Sequence, residues 1–533
     1  MSLVSVLSKF PSRVPQKSWQ VNILLICTAI NTGSVLGYDA SMMNALNILP
    51  AYTDYFDLTP TTTALNSGII WIGATIGSAS FAKVPDYIGR KPSLFYSAIV
   101  AIIGGALTAA SQNIAMFLVA RFVLGFGIGG TYMAVPVYIS EALPLKHRTL
   151  GLGLINDVYY VGGLLSAGIT YGTSFLQSTW AWRLPALCQI VFTVISIIAL
   201  PFAPESPRWL AYQGRKDEAL AAIAQVTSDG DISDPAVQLQ FVQICESLDY
   251  EKEMETPSIK ELYVNKGYRK RMLLVLSVAI FSMMTGSNIF SYYLGTALTN
   301  AGITDSTAQL QVNVVLNAFC LIICLFGTYM ADRIGRKMLA IISTALCTIT
   351  LFIIGALTKE FGNSTNKSAV YANVAMMFLA QGFYSFGWTP ILQMYPPELL
   401  SYQIRSIGMS WCITWQNMAI LIPIFAFPIA MNNIGWITYM MNGGWNLFQL
   451  AVMASNLHHM TVCRSLTRIK ATYWVETRNL SLEEVSLLFD GEVHSQVTGV
   501  KKIIEGVPSK LDAEAVLVQV KPDIKQSTKP MDE

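Results

Sequence analysis

Three ionisable side chains, Asp39, Arg121 and Asp157, stand inside long apolar stretches. A charge in hydrocarbon is costly, so such a residue pairs, faces water or performs a task. A helix entering near residue 20 carries Asp39 about 28 Å along its axis, at 1.5 Å per residue. A helix running the other way from residue 114 carries Arg121 about 10 Å along. The two therefore meet in one half of the layer and can pair. A carboxylate beside a guanidinium holds its proton weakly, and one stripped of that partner in a dry site holds it tightly. An Asp–Arg pair that breaks and reforms with conformation is thus a proton switch. A static structural pair, or an Asp39 facing an aqueous cavity, would use the same residues without a proton step.

A second set of residues is neutral. Within Ser282–Tyr293, the residues Thr285, Asn288 and Tyr292 share one helical face. Amides both donate and accept hydrogen bonds, and an aromatic ring covers a C–H surface, which suits an uncharged, hydroxyl-rich ligand. Other apolar stretches offer Asn156, Trp388, Gln393, Gln416 and Asn417. Each alone fits interhelical hydrogen bonding equally well. Their spread over four stretches favours a shared site.

The elements that must position these groups follow from composition. Of 533 residues, 53% are hydrophobic and 13% charged, where a soluble chain carries about 25% charged residues. The apolar residues fall into runs of about 20, the length that spans a bilayer as a helix. The expected spans are 20–47, 64–84, 93–112, 114–139, 150–174 and 184–203, then 272–299, 308–330, 338–357, 370–394, 406–430 and 434–454. The loop Asp86-Tyr-Ile-Gly-Arg-Lys91 between the second and third spans recurs as Asp332-Arg-Ile-Gly-Arg-Lys337 between the eighth and ninth. A repeated loop in equivalent places signals two homologous six-span halves, an arrangement found in transporters that rock one half against the other.

The segments predicted are a cytoplasmic N-terminus (1–19), a first bundle (20–203), a cytoplasmic linker (204–271), a second bundle (272–454) and a cytoplasmic tail (455–533). The first span follows a short basic terminus with no small-residue cleavage site, so it reads as retained. Lysine and arginine crowd the loops on the N-terminal side, which places that side and both termini in the cytoplasm. The opposite side then holds Asn363-Ser-Thr365 and Asn366-Lys-Ser368, two glycosylation acceptor patterns. Net charge is +2, which points to no nucleic acid. None of the eight cysteines forms a Cys-x-x-Cys pair, so no metal site and no disulfide framework is expected. No phosphate-binding glycine loop is present, so no nucleotide or other cofactor is expected, and nothing suggests covalent chemistry.

Longer motifs carry a resemblance. Arg121-Phe-Val-Leu-Gly-Phe-Gly-Ile-Gly129, Pro136-Val-Tyr-Ile-Ser-Glu141, Pro204-Glu-Ser-Pro-Arg-Trp-Leu210, Tyr395-Pro-Pro-Glu398 with Arg405, and Glu476-Thr-Arg478 occur in one order along the chain. They resemble the sugar-porter family of the major facilitator superfamily, and Ser291-Tyr-Tyr-Leu294 and Gly387-Trp-Thr-Pro390 resemble its fungal lactose- and hexose-permease-like members. The resemblance implies an all-α membrane protein of twelve transmembrane helices in two pseudo-symmetric six-helix bundles. It implies Asp39 and Arg121 as the proton-coupling pair, Asn288 as a sugar ligand, and Tyr292 and Tyr293 as an outer gate. Arg90, Glu141 and Arg148, with Arg336, Glu398 and Arg405, become salt-bridge clusters that hold the inner ends together.

Two departures stand out. The family's Gln-Gln pair on the seventh helix is Ser282-Met283 here, and methionine donates nothing to a sugar hydroxyl. A basic stretch at about 455–472, with His458, His459 and Arg464, separates Ile434-Gly-Trp436 from Val475-Glu-Thr477. It reads as an insert on the inner surface or as translated intron. The expectation is a plasma-membrane sugar transporter working as a monomeric unit by alternating access with proton symport. The alternatives are a facilitative uniporter and a transporter-like sugar sensor.

Overall fold

The computed structural model describes residues 13–253, 264–300, 303, 305–361, 367–454, 474–477, 485 and 489. The expected acceptors Asn363 and Asn366 and the stretch 455–472 lie outside them. Among the described residues there are helices and no strands. The first half comprises α1 (Ser18–Leu46), α2 (Pro60–Ser80), α3 (Arg90–Ala109), α4 (Ile114–Ala142), α5 (Leu145–Asp157 continued by Tyr159–Thr173) and α6 (Trp180–Cys188 continued by Ile190–Ala199). The second comprises α7 (Lys266–Met283, Ser287–Tyr292 and Leu294–Asn300), α8 (Ser306–Ile334), α9 (Arg336–Phe361), α10 (Lys367–Leu399), α11 (Tyr402–Asn433) and α12 (Ile437–Ala454). Eight of these are long and apolar enough to cross a bilayer. The other four are α2, α7, α10 and α12, of which α7 is broken into three segments. Three short linker helices, Pro207–Tyr212, Lys216–Thr227 and Pro235–Glu253, pack around Trp209, Ile223, Val237 and Ile244.

Several helices outrun the apolar segments that reveal them. Helices α3 and α9 begin at Arg90 and Arg336, α4 runs on to Ala142, and α10 to Leu399. Charged residues at these ends are paired rather than solvated, so the helix continues where hydropathy falls. The repeated loop explains its glycine. Gly89 and Gly335 have φ of 104° and 97°, a region glycine enters without a Cβ penalty. A Cβ at either site would also strike a carboxylate, Glu205 at 2.8 Å or Glu476 at 2.5 Å.

Within the first half, small residues let backbones touch, the usual basis of helix association in lipid. A Cβ on Gly37 of α1 would lie 1.8 Å from the Tyr159 carbonyl oxygen on α5, and one on Gly125 of α4 would lie 2.1 Å from the Ile70 carbonyl oxygen on α2. Overpacking of this kind costs about 1–3 kcal/mol or more. Gly37→Val is therefore expected to lower the yield of monodisperse detergent-solubilised protein severely, as read by fluorescence-detected size exclusion. Between the halves, α2 packs on α11 and α5 on α8, pairs that exchange under the pseudo-twofold relation, and α5 also meets α10.

Candidate functional site

A cavity with about 540 Å³ of empty space lies between the halves. From the first half, Trp71, Tyr132, Asn156, Tyr159 and Tyr160 line it; from the second, Met283, Asn288, Tyr292, Gln381, Tyr384 and Gln416 do so. Its walls are therefore aromatic rings and neutral amides, with no charged side chain among the lining residues. Asn156 is held at both ends of its amide: its Oδ1 accepts from the Tyr132 hydroxyl, and its Nδ2 donates to the Thr389 carbonyl of α10 at 2.9 Å. Other amide atoms have no partner among the described residues: Oε1 of Gln381 and Gln416, Nδ2 of Asn417 and both ends of Gln393. An unpaired buried polar atom costs about 1–3 kcal/mol, and of these side chains Gln381 and Gln416 line the cavity, where their oxygens are positioned to accept from a polar ligand or water.

The break in α7 shapes one wall. The helix stops at Met283 and restarts at Ser287 through Gly286, whose φ is 95°. Non-helical backbone at membrane depth needs its freed carbonyls satisfied. Asn288 Nδ2 donates to the Met283 carbonyl at 2.7 Å, Asn446 to Thr285 at 3.1 Å and Gln449 to Phe281 at 3.2 Å. The polar residues of α12 thus support the break from behind.

Of the residues expected to bind ligand, Asn156, Asn288 and Gln416 line the cavity, as does the expected gate residue Tyr292. Tyr292 meets Trp71 of the other half edge-on, with centroids 6.4 Å apart. Thr285, Trp388, Gln393 and Asn417 are buried outside the lining. Thr285 donates to the Ser282 carbonyl at 2.9 Å. Trp388 donates its indole N–H to Thr344 at 2.9 Å and packs edge-on against Trp474. Tyr293 donates its hydroxyl to the Ile424 carbonyl within its own half. Tyr132, Tyr159, Tyr160, Gln381 and Tyr384 were not signalled by sequence; tyrosine on an apolar helix face has no distinguishing mark, and only the inter-half packing turns these rings inward.

Asp39 and Arg121 form a bidentate pair, with Nη–O distances of 2.7 and 3.0 Å, and both are almost fully buried. The third guanidinium contact goes from Nε to the Asn66 carbonyl at 3.2 Å. Every member belongs to the first half.

At the end carrying the two Gly-Arg-Lys turns, the halves repeat one network. Arg90 Nε donates to Glu141 at 2.9 Å, and Ser206 donates to the same carboxylate at 2.6 Å. Glu205 accepts backbone N–H bonds from Arg90 and Lys91 at 3.1 and 3.2 Å. In the second half Arg336 donates to Glu398 at 3.0 Å and Thr477 donates to it at 2.6 Å. Glu476 accepts from the Arg336 and Lys337 amides at 3.0 and 3.1 Å. Pro204-Glu-Ser206 and Val475-Glu-Thr477 are thus a second repeat, hidden in sequence because only the glutamate is shared. Burial lifts the Glu205 carboxyl above its ordinary range, and the backbone N–H groups, Lys91 and Arg90 pull it back. The halves are joined here by Arg405 to Glu141 at 3.1 Å, Ser406 to Asp86 at 2.7 Å and Ser410 to the Ser78 carbonyl at 2.7 Å. Arg148 is buried among Glu141, Glu398 and Arg405 but makes no ion pair with a described residue.

Comparison with known proteins places this geometry. A fungal relative, the MFS-type transporter criB of Aspergillus cristatus, is 28% identical over 73% of this chain and 84% of its own length. The high-affinity glucose transporter of Kluyveromyces lactis is 29% identical over 77% of this chain and 78% of its own. The structure of the proton:xylose symporter XylE bound to 6-bromo-6-deoxy-D-glucose superimposes with a TM-score of 0.75 at 19% identity, covering 89% of this chain and all of that one. The family model described as "Sugar (and other) transporter" matches residues 25–473. The chain is therefore an integral membrane transporter and not an enzyme, a member of that sugar transporter family within the major facilitator superfamily.

Proposed function

We propose that this transporter carries a mono- or disaccharide across the plasma membrane by alternating access, with a proton moving in the same direction. Both termini and the Gly-Arg-Lys turns face the cytoplasm, so the structure has its inner side closed. The observation that carries the reading is the uncharged, amide- and tyrosine-lined cavity between halves that are held together at one end by the Arg405–Glu141 ion pair and by hydrogen bonds. Hydroxyl-rich substrates need neutral donors and acceptors that they can displace water from. The amide oxygens of Gln381 and Gln416, without partners among the described residues, supply acceptors from the second half, and aromatic rings supply a C–H-binding wall from the first. The buried Asp39–Arg121 pair supports proton coupling, because an intramembrane ion pair is a functional site by default.

The test is radiolabelled uptake in a host lacking its own sugar carriers, using a panel of sugars and polyols, with and without a protonophore. Saturable uptake of at least one sugar that collapses with the protonophore is expected. Uptake indifferent to the protonophore would leave facilitation. Gln416→Ala removes one amide from the cavity wall, and loss of one ligand hydrogen bond of about 1–1.5 kcal/mol raises KM roughly 5- to 10-fold. Met283 lies at the same wall where the family carries an amide. Met283→Gln is expected to tighten hexose binding by a similar factor, measured as a lower KM.

A further inference from the structure

We propose that Asp157 is a proton-operated latch on the seam between α5 and α8, a positioning residue that makes opening of the inner gate sensitive to cytoplasmic pH. The inference rests on the alternating-access reading above. Asp157 ends the first segment of α5, where the helix breaks at Val158, and its side chain is fully buried. One carboxyl oxygen, Oδ2, accepts from the Thr328 hydroxyl of α8, in the other half. The other, Oδ1, has no partner among the described residues. The Asp157 backbone carbonyl accepts from the Cys324 thiol, again on α8, at 3.6 Å.

Among the described residues the surroundings hold no counter-charge. Helices α1, α4, α8 and α10 pack on this segment of α5. The titratable group they bring to the carboxyl is Cys324, and no described cation or anion interacts with it. Along α5 the first charge is Arg148, nine residues and about 13 Å away. On α4 the charges are Arg121, committed to Asp39, and Glu141, committed to Arg90; on α10 they are Lys367 at its first residue and Glu398, committed to Arg336; on α8 they are Asp332, committed to Arg336, and Arg333, which lies over the Tyr329 ring. Asp39 differs on each point, since it has a bidentate guanidinium from its own half.

A buried carboxylate with no cation costs several kcal/mol, so a closed seam favours the neutral acid. When the halves part at the inner end, Thr328 leaves with the second half and the carboxyl meets water, which favours the anion. Opening therefore releases one proton to the cytoplasmic side, and closing takes one back from that side. The latch adds no proton to the transport cycle. It makes the open-to-closed ratio rise with pH, by at most tenfold per pH unit for one proton. Parting the halves does not strip Asp39 of Arg121, so the two acids respond to different movements.

Cys324 reports the seam directly. A variant keeping it as the only cysteine is reconstituted, and its labelling by a membrane-impermeant maleimide from the cytoplasmic side is timed between about pH 6 and pH 8. Thiol reactivity itself rises with pH, so the quantity read is the rate relative to the same protein carrying Asp157→Asn. That ratio is expected to climb with pH, approaching tenfold per unit at its steepest, and Asp157→Glu is expected to keep the climb. A flat ratio across the range overturns the latch. Arg405→Ala, which unlocks the inner end by another contact, is the control for the underlying reading. If Cys324 stays unreactive in that background as well, the seam does not open and alternating access itself fails.

Discussion

Asp39→Asn is expected to abolish sugar accumulation against a gradient while leaving exchange of sugar across the membrane measurable. The variant keeps the shape of the side chain and its place beside Arg121, but an amide neither ionises nor binds a transported proton. If Asp39 carries the proton, every step that depends on protonation stops, and steps that the loaded carrier makes reversibly do not. The predicted loss of concentrative uptake is therefore near complete. Arg121→Leu is a different experiment. It leaves a carboxylate almost fully buried without its partner, and breaking a buried pair from one side costs about 3–5 kcal/mol. The group escapes that cost by taking a proton, so Arg121→Leu is expected to hold Asp39 neutral and uncouple transport as well. Counterflow of labelled sugar into preloaded vesicles separates the cases: Asp39→Asn retains it, and a static structural pair predicts that both variants lose it through misfolding.

The depth of Asp39 and Arg121 could be read from sequence because two helices of known pitch entering from opposite sides fix where residues 39 and 121 lie. Eight of the spans were legible for a similar reason: length and apolarity are properties of single segments. What escaped depends on how segments face one another. Tyr132, Tyr159, Tyr160 and Tyr384 line the cavity, yet a tyrosine in an apolar run carries no sign of which neighbour it meets. Trp388 looks like an aromatic platform in sequence, but Thr344 takes its indole N–H and Trp474 packs on its ring. Asn446 and Gln449 of α12 serve carbonyls freed by the break in α7, a role that depends on which helix lies behind the break. The break itself has a trace in Thr285-Gly-Ser287, because glycine admits the left-handed turn. Trp474 packs between Trp388 and Tyr395, and Glu476 caps α9 as Glu205 caps α3.

Arg405→Ala is expected to shift the resting protein strongly towards the inward-facing state. Arg405 donates across the halves to Glu141 at 3.1 Å and, within its own half, to the Leu400 carbonyl at 3.2 Å. Its removal leaves Glu141 held by Arg90 and Ser206, so the first half keeps its internal network and the loss falls on the contact across the gate and on the Leu400 carbonyl of the second half. A hydrogen bond to a charged group contributes about 1.5–3 kcal/mol, which corresponds to a shift of roughly 10- to 150-fold in the ratio of open to closed. The pseudo-symmetric residue, Arg148, makes no ion pair across the halves to a described residue, whereas Arg405 does. Hence Arg148→Ala should move the equilibrium less, although both residues are buried and carry the same charge. Accessibility of a cysteine placed at Ser410, where α11 meets the Ser78 carbonyl of α2, measures both. Equal effects from the two variants would mean that the clusters act only through the charge they place at the inner face, and the one-sided contact at Glu141 would then have no part in holding the gate.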